Sequence, residues 1–383
     1  MSIDDIGKLT PADEFLDHQI ADTFATVVES DFGWTQKIWG AFARKDGSIS
    51  VAFGVGKYHN RNVFDGFAGV SRGREQWTVR ASRRLDLGLQ DLGVGPIRYE
   101  VVDPLKAVRF RLDANDTQPI SFDILFEGEL SPFFEKRSLL RSGNRIAQNV
   151  VRYHQCGRLS GWVEVDGERH IVDDGWFGAR DHSWGMRGSA VGAPPPDLQP
   201  SLNRTRTMRT LWGPALLLRP DGSKYELMHF LYQTDHWQYM SAHLNEEDGK
   251  GDVRQTELRD LHVDITFEST TRRFEGATYT FTMPDGAKKA VEVRPLGPAG
   301  FYLRTGQYGR WKDGHQAAWR GDYHTDGEYL PDVLAELPRL GQFRDLPVEV
   351  RDGDAVGYGI QESIYLGVFP ELGLDKSSNY PIH

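Results

Sequence analysis

What most restricts the fold of this chain is a period of two that is repeatedly interrupted. Segments near 34–43, 49–57, 76–87, 97–102, 107–113 and 120–128 are rich in Val, Ile, Phe, Trp and Tyr and end at Gly, Asp or Pro. Apolar residues at every second position turn one face of a strand onto a core. β-Branched and aromatic side chains suit that pleated surface. Lys45-Asp46-Gly47, Asp166-Gly167, Asp221-Gly222 and Asp285-Gly286 separate such runs with the residues that tight hairpins require. The pattern returns at 151–165 and 169–172, and then at 210–219, 224–233, 237–244, 261–268, 273–283, 289–294, 300–312, 317–323 and about 356–366. Helical spacing is confined to Leu16, Ile20, Phe24 and Val27 and to a short stretch at 330–337. Many short strands with few helices predict an all-β protein built of two sandwiches or barrels.

The division into two comes from one break. Gly192-Ala193-Pro194-Pro195-Pro196-Asp197 and the polar residues after it read as a linker. The expected organisation is a polar, partly helical lead-in over 1–30, a β domain over 31–192, a linker over 193–205 and a second β domain over 206–383. With 39% hydrophobic residues in 383, there is material for two cores. A formal charge of −10 argues against nucleic acid as a partner, because phosphate binding needs clustered Lys and Arg. Cys156, the single cysteine, excludes an internal disulfide and a cysteine-based zinc site. No secretory leader or apolar run of membrane length is visible, so a soluble cytoplasmic protein without stable membrane insertion is expected. Its oligomeric state stays open, and a homodimer is allowed.

The chemistry concentrates in Asp173-Asp174-Gly175-Trp176-Phe177-Gly178-Ala179-Arg180-Asp181-His182-Ser183-Trp184-Gly185-Met186-Arg187-Gly188. An ordinary strand does not need that mixture of acids, arginines, histidine, tryptophans and glycines. A carboxyl group in an apolar cavity loses its hydration, and its pKa rises until it can act as a general acid. Asp181 is the leading catalytic candidate, with His182 as its partner. Trp176 and Trp184 are candidate cavity walls, Arg180 and Arg187 candidate orienters. If 179–184 is a regular strand, Arg180, His182 and Trp184 share one face and Asp181 the other. A bulge at the bordering glycines would let Asp181 and His182 meet. The same residues also fit a structural corner, with Arg180 or Arg187 tied to Asp174 or Asp181. Further substrate-binding candidates are Tyr58 and His59, His236, Trp319 and Glu362. No nucleotide-binding glycine motif, phosphate loop, metal-binding His-Glu-x-x-His or nucleophile elbow occurs, so no cofactor and no metal are expected.

The Gly-Trp-Phe-Gly-x-Arg-Asp-His-Ser-Trp-Gly run, with Arg187 after it, resembles the hallmark of the two-domain lipocalin-like proteins. That group includes the carotenoid 1,2-hydratase-type enzymes and related bacterial proteins. Pro96–Leu112, Ser121–Gly128, Gly157–Gly161 and Ala318-Trp319-Arg320-Gly321 resemble the same group, so the likeness spans roughly residues 30–370. It implies two lipocalin-like (calycin) antiparallel barrels packed together, with a ligand site at a barrel mouth or between barrels. The expected activity is that of a cofactor-independent lyase or isomerase, hydrating, dehydrating or isomerising a small hydrophobic molecule of isoprenoid or polycyclic type. A hydrophobic-ligand carrier and a pericyclase, as in related fungal proteins of similar build, are the alternatives.

Overall fold

The computed structural model describes residues 14, 21–85, 91–187, 206–247, 253–268, 270–298, 300–312 and 314–378. Among them the strands form a 14-stranded and a 10-stranded sheet, antiparallel throughout and each curled into a half-barrel. The larger sheet runs from the edge strand Tyr323–Leu330 through Glu75–Arg84, Val63–Arg72, Ile49–Tyr58, Trp34–Arg44, Trp176–Arg187, Arg145–Val165, Ile120–Gly128, Ala107–Leu112 and Ile97–Asp103 to Gly93–Val94. The smaller runs from Val253–Glu257 through Gln238–Glu247, Lys224–Thr234, Met208–Leu218, Ala355–Leu366, Arg344–Asp352, Lys288–Pro295 and Arg273–Thr282 to Arg259–Glu268. The fold is therefore all-β and lipocalin-like, with two half-barrels. No helix among the described residues is long and apolar enough to cross a membrane.

Each half-barrel has its own core. Phe42, Phe53, Phe110, Phe122 and Phe126 fill the first, and Phe42 and Phe53 meet Phe110 edge-on with ring centres 4.9 and 5.1 Å away. Leu211, Tyr225, Leu227, Tyr279 and Phe281 fill the second. A third cluster lies between the sheets, where Trp39, Ala41, Phe177 and Ala179 meet Trp212, Met228 and Ile360. Trp39 and Trp212 cross at 87° with centroids 4.8 Å apart. The strands Trp34–Arg44 and Trp176–Arg187 thus bury both faces, which is why small residues outnumber a clean alternation there.

All four Asp-Gly hairpins form, and Asp166 and Gly167 both take positive φ, 52° and 80°, as a type I′ turn demands. Four expectations change. The strand at 300–312 is only Phe301–Tyr302, which runs into the 3-10 turn Leu303–Gly306, closed by Gln307 in the left-handed region. The strand at 317–323 is instead Tyr323–Leu330, and it pairs with Glu75–Arg84 in the first sheet. The helix at 330–337 is one turn at Leu337–Leu340, with Pro338 in its first turn, where a proline is tolerated, and Gly341 closing it. Residues 21–30 hold turns and no helix, while Leu16, Ile20 and the linker 193–205 lie outside the described residues.

Candidate functional site

The central strand Trp176–Arg187 is held on both edges. Its ladder to Trp34–Arg44 runs unbroken from Arg44–Trp176 to Trp34–Met186, and its ladder to Arg145–Val165 from Gly157–Gly178 to Gln148–Arg187. No bulge re-aims the run, so the split into two faces stands. Gly185 serves close approach instead. At φ 127° a Cβ there would stand 2.1 Å from the Asn149 carbonyl oxygen. Asp181 and His182 consequently belong to different environments.

The His182 face walls a cavity of about 500 Å³ in the first half-barrel. Ile38, Val55, Phe64 and Val108 supply apolar wall, and Phe24 and Val27 of the lead-in complete it. Polar groups enter together. Arg180, 1% exposed, donates from Nε and Nη2 to Gln155 Oε1 at 2.9 and 2.6 Å, and from Nη1 to the Tyr153 hydroxyl at 3.4 Å. Tyr153 Oη lies 3.3 Å from His182 Nδ1, and Gln36 Nε2 lies 3.5 Å from His182 Nε2. A guanidinium only donates, so the tyrosine oxygen accepts from Arg180; towards His182 Nδ1 it donates when the imidazole carries its proton on Nε2 and accepts when the proton is on Nδ1. Burial, reinforced by the Arg180 charge, lowers the His182 pKa to about 4. The imidazole is therefore neutral near pH 7. His59, at the same cavity, is pushed to about 4 by burial and Lys57. Trp184 stacks edge-on to His182 with centroids 5.3 Å apart.

The Asp181 face looks toward the second half-barrel and is filled. Asp181 is 8% exposed, with its Oδ2 3.3 Å from Arg152 Nε. Arg152 also reaches Glu135 at 3.3 Å, and Glu135 is bonded to His154 at 2.7 Å and to Trp212 at 3.2 Å. Burial alone would raise the Glu135 carboxyl; Arg152, His154 and Trp212 outweigh it and hold it at about 2. From the second half-barrel come Asp345, which accepts from Trp39 Nε1 at 3.0 Å, and Glu362. Burial and repulsion from Asp345 raise the pKa of Glu362, and burial raises that of Asp345, so the two carboxyls resist ionising together. Arg187 donates to Ser183 at 2.8 Å on this side.

Of the residues expected at one site, Arg180, His182 and His59 line the cavity and Trp184 abuts it. Asp181, Arg187 and Glu362 lie in the polar layer between the sheets. The ties foreseen for a structural corner are replaced by one to Arg152, a residue on the neighbouring strand. Tyr58 is fully buried beside a void of about 10 Å³ with Asp65 and Gln316. Trp176 packs in the first core and donates to the Ile171 carbonyl at 3.0 Å. His236 sits in an exposed turn 3.6 Å from Asp235, and Trp319 is 57% exposed. Sequence reasoning missed Tyr153, Gln36, Lys57 and Tyr99. Tyr153 is the cross-strand partner of His182, a signal that appears only once the register is known. Among the described residues no group of three or more His, Cys, Asp or Glu is placed to hold a metal ion.

A family model matches residues 9–375, nearly the whole chain. The chain belongs to DUF8625, a family of unknown function. A search of curated protein sequences gives no match. Among solved structures the chain is similar to an AttH-type protein from Nitrosomonas europaea, at 13% identity and a TM-score of 0.48, covering 88% of this chain and 96% of that one. It is also similar to kievitone hydratase from Nectria haematococca, at 8% identity and a TM-score of 0.41, covering 94% and 97%. CghA in complex with Sch210972 matches at 12% identity and a TM-score of 0.46, covering 88% and 89%.

Proposed function

We propose that this DUF8625 member is a cofactor-independent enzyme of lyase or isomerase type, acting on an apolar small molecule in the first half-barrel. The observation that carries the reading is the Arg180–Tyr153–His182 relay set into the wall of an otherwise largely apolar cavity. A cavity of several hundred Å³ takes a drug-sized molecule, and a few convergent polar groups fix its orientation. In hydration, Tyr153 delivers its proton to a double bond, and the Arg180 guanidinium stabilises the phenolate left behind. Water adds to the resulting cation, and His182 Nδ1 takes the proton that water loses. That proton returns across the 3.3 Å gap to the tyrosine oxygen, so one water is added and both groups are restored. Dehydration is the reverse; isomerisation uses the same pair to move one proton between carbons.

Asp181 has a separate role in this account. Its ion pair with Arg152 anchors the layer between the sheets. The test compares three variants against a panel of unsaturated and hydroxylated apolar compounds, followed by mass spectrometry and chromatography. His182→Gln and Tyr153→Phe should each lower turnover by about a hundredfold or more while ligand binding persists. Asp181→Asn should lower stability and leave turnover per folded molecule nearly unchanged. Turnover that survives His182→Gln and collapses in folded Asp181→Asn would move the chemistry to the other face.

A further inference from the structure

The charge inside the first cavity has one sign. In a chain of net charge −10, no Asp or Glu is among the described residues that line it, whereas Lys57 and Arg180 are; Lys37 borders it too, but its Nζ turns away to Gln316 on the other face. Lys57 is 7% exposed and Arg180 1%. Arg180 donates its hydrogen bonds to neutral groups, Gln155 and Tyr153, and no carboxylate is in ion-pair reach of it among the described residues. Its remaining neighbours are aromatic: the rings of Phe126 and Tyr153 lie 5.6 and 5.5 Å from the guanidinium carbon. Tyr99, 6% exposed, lines the cavity too.

A buried cation among neutral partners is costly, because dipoles replace its hydration incompletely. Gln155 engages Nε and Nη2, and the longest of the three bonds, at 3.4 Å, is the one Nη1 makes to Tyr153. Tyr153 and Arg180 both line the cavity, so this weakly held edge is the one a ligand group can take over. An acid group placed there would accept a charge-assisted hydrogen bond from Nη1, with Lys57 adding attraction. We propose that the ligand of this cavity is an amphiphilic acid, an apolar skeleton carrying one carboxylate that seats against Arg180. The inference rests on the first half-barrel being the ligand site and adds the ligand's chemical class. It also fixes where the chemistry falls, on carbons a few bonds from the acid group, beside His182.

The experiment is calorimetric titration of the full chain with octanoate, dodecanoate and hexadecanoate, each against its matching primary alcohol. Wild-type protein should bind the best-fitting acid about tenfold more tightly than its alcohol, the gain expected of a charge-assisted contact. Arg180→Gln should erase that preference while alcohol binding and the thermal melt persist. Lys57→Gln, which leaves the Gln155 network intact, should reduce the preference partially and keeps the test open if Arg180→Gln does not fold. Equal affinity for acid and alcohol, or no binding across the series, overturns the inference. An acid preference here, with no conversion of any compound of the unsaturated and hydroxylated panel, would leave it standing and sink the enzymatic reading alone.

Discussion

Glu226 is 1% exposed, and its carboxylate accepts from the Cys156 backbone N–H at 2.9 Å. Burial outweighs that bond and the Asn245 side chain and pushes the carboxyl up to about 8. In the unfolded chain the same group ionises near 4.5. The folded state therefore holds its proton more tightly, so this stability is fully present below pH 4.5 and is lost as pH rises through 8. Glu226→Gln, which keeps the protonated shape, should be more stable than wild type near pH 8, by on the order of 4 kcal/mol. At pH 4.5 the difference should vanish. Thermal melts at the two pH values decide it; a variant less stable at both would show that the carboxylate is ionised in place. Glu135 runs the other way, since its pKa of about 2 means its contribution is present above 4.5 and fades as pH falls toward 2. Two buried glutamates of one chain thus respond to pH in opposite senses because only one has a guanidinium beside it.

At the scale of elements, the central strand depends on its glycines. Gly185→Ala would force a side chain onto φ 127° and against the Asn149 carbonyl, and should cost at least about 2 kcal/mol in a urea titration. A neutral result would mean the ladder yields there without strain. The same strand shows what the sequence could and could not disclose. Period two alone separates Arg180 and His182 from Asp181, and that split is observed. Two of the strands that pattern reading passes over have physical reasons for hiding. Val63–Arg72 carries Asp65, Gly66 and Gly69, and a Cβ on Gly69 would meet the Phe301 ring at 2.4 Å. Arg344–Asp352 buries Arg344 and Asp345 and contains Pro347, so charge and proline mask a core strand. Polar groups that serve a layer between sheets look like loop residues until the layer is known. Tyr153 was equally hidden, since cross-strand partners depend on register and register on tertiary packing.

Across the whole molecule, the two half-barrels are not independent beads. Tyr323–Leu330, from the second half of the sequence, forms the edge of the first sheet, and Trp39 and Asp345 join the halves by a 3.0 Å hydrogen bond. That arrangement leaves two regions where chemistry could sit: a filled polar layer around Asp181, Arg152 and Glu362, and an open cavity around Arg180, Tyr153 and His182. The account places the ligand in the second. The most direct test is a crystal structure of the full chain grown with dodecanoate. The account predicts an extended chain along Phe64 and Val108 in the first half-barrel, with its carboxylate at Arg180. Ordered ligand between the sheets, beside Asp181 and Glu362, with the first cavity empty, would contradict it.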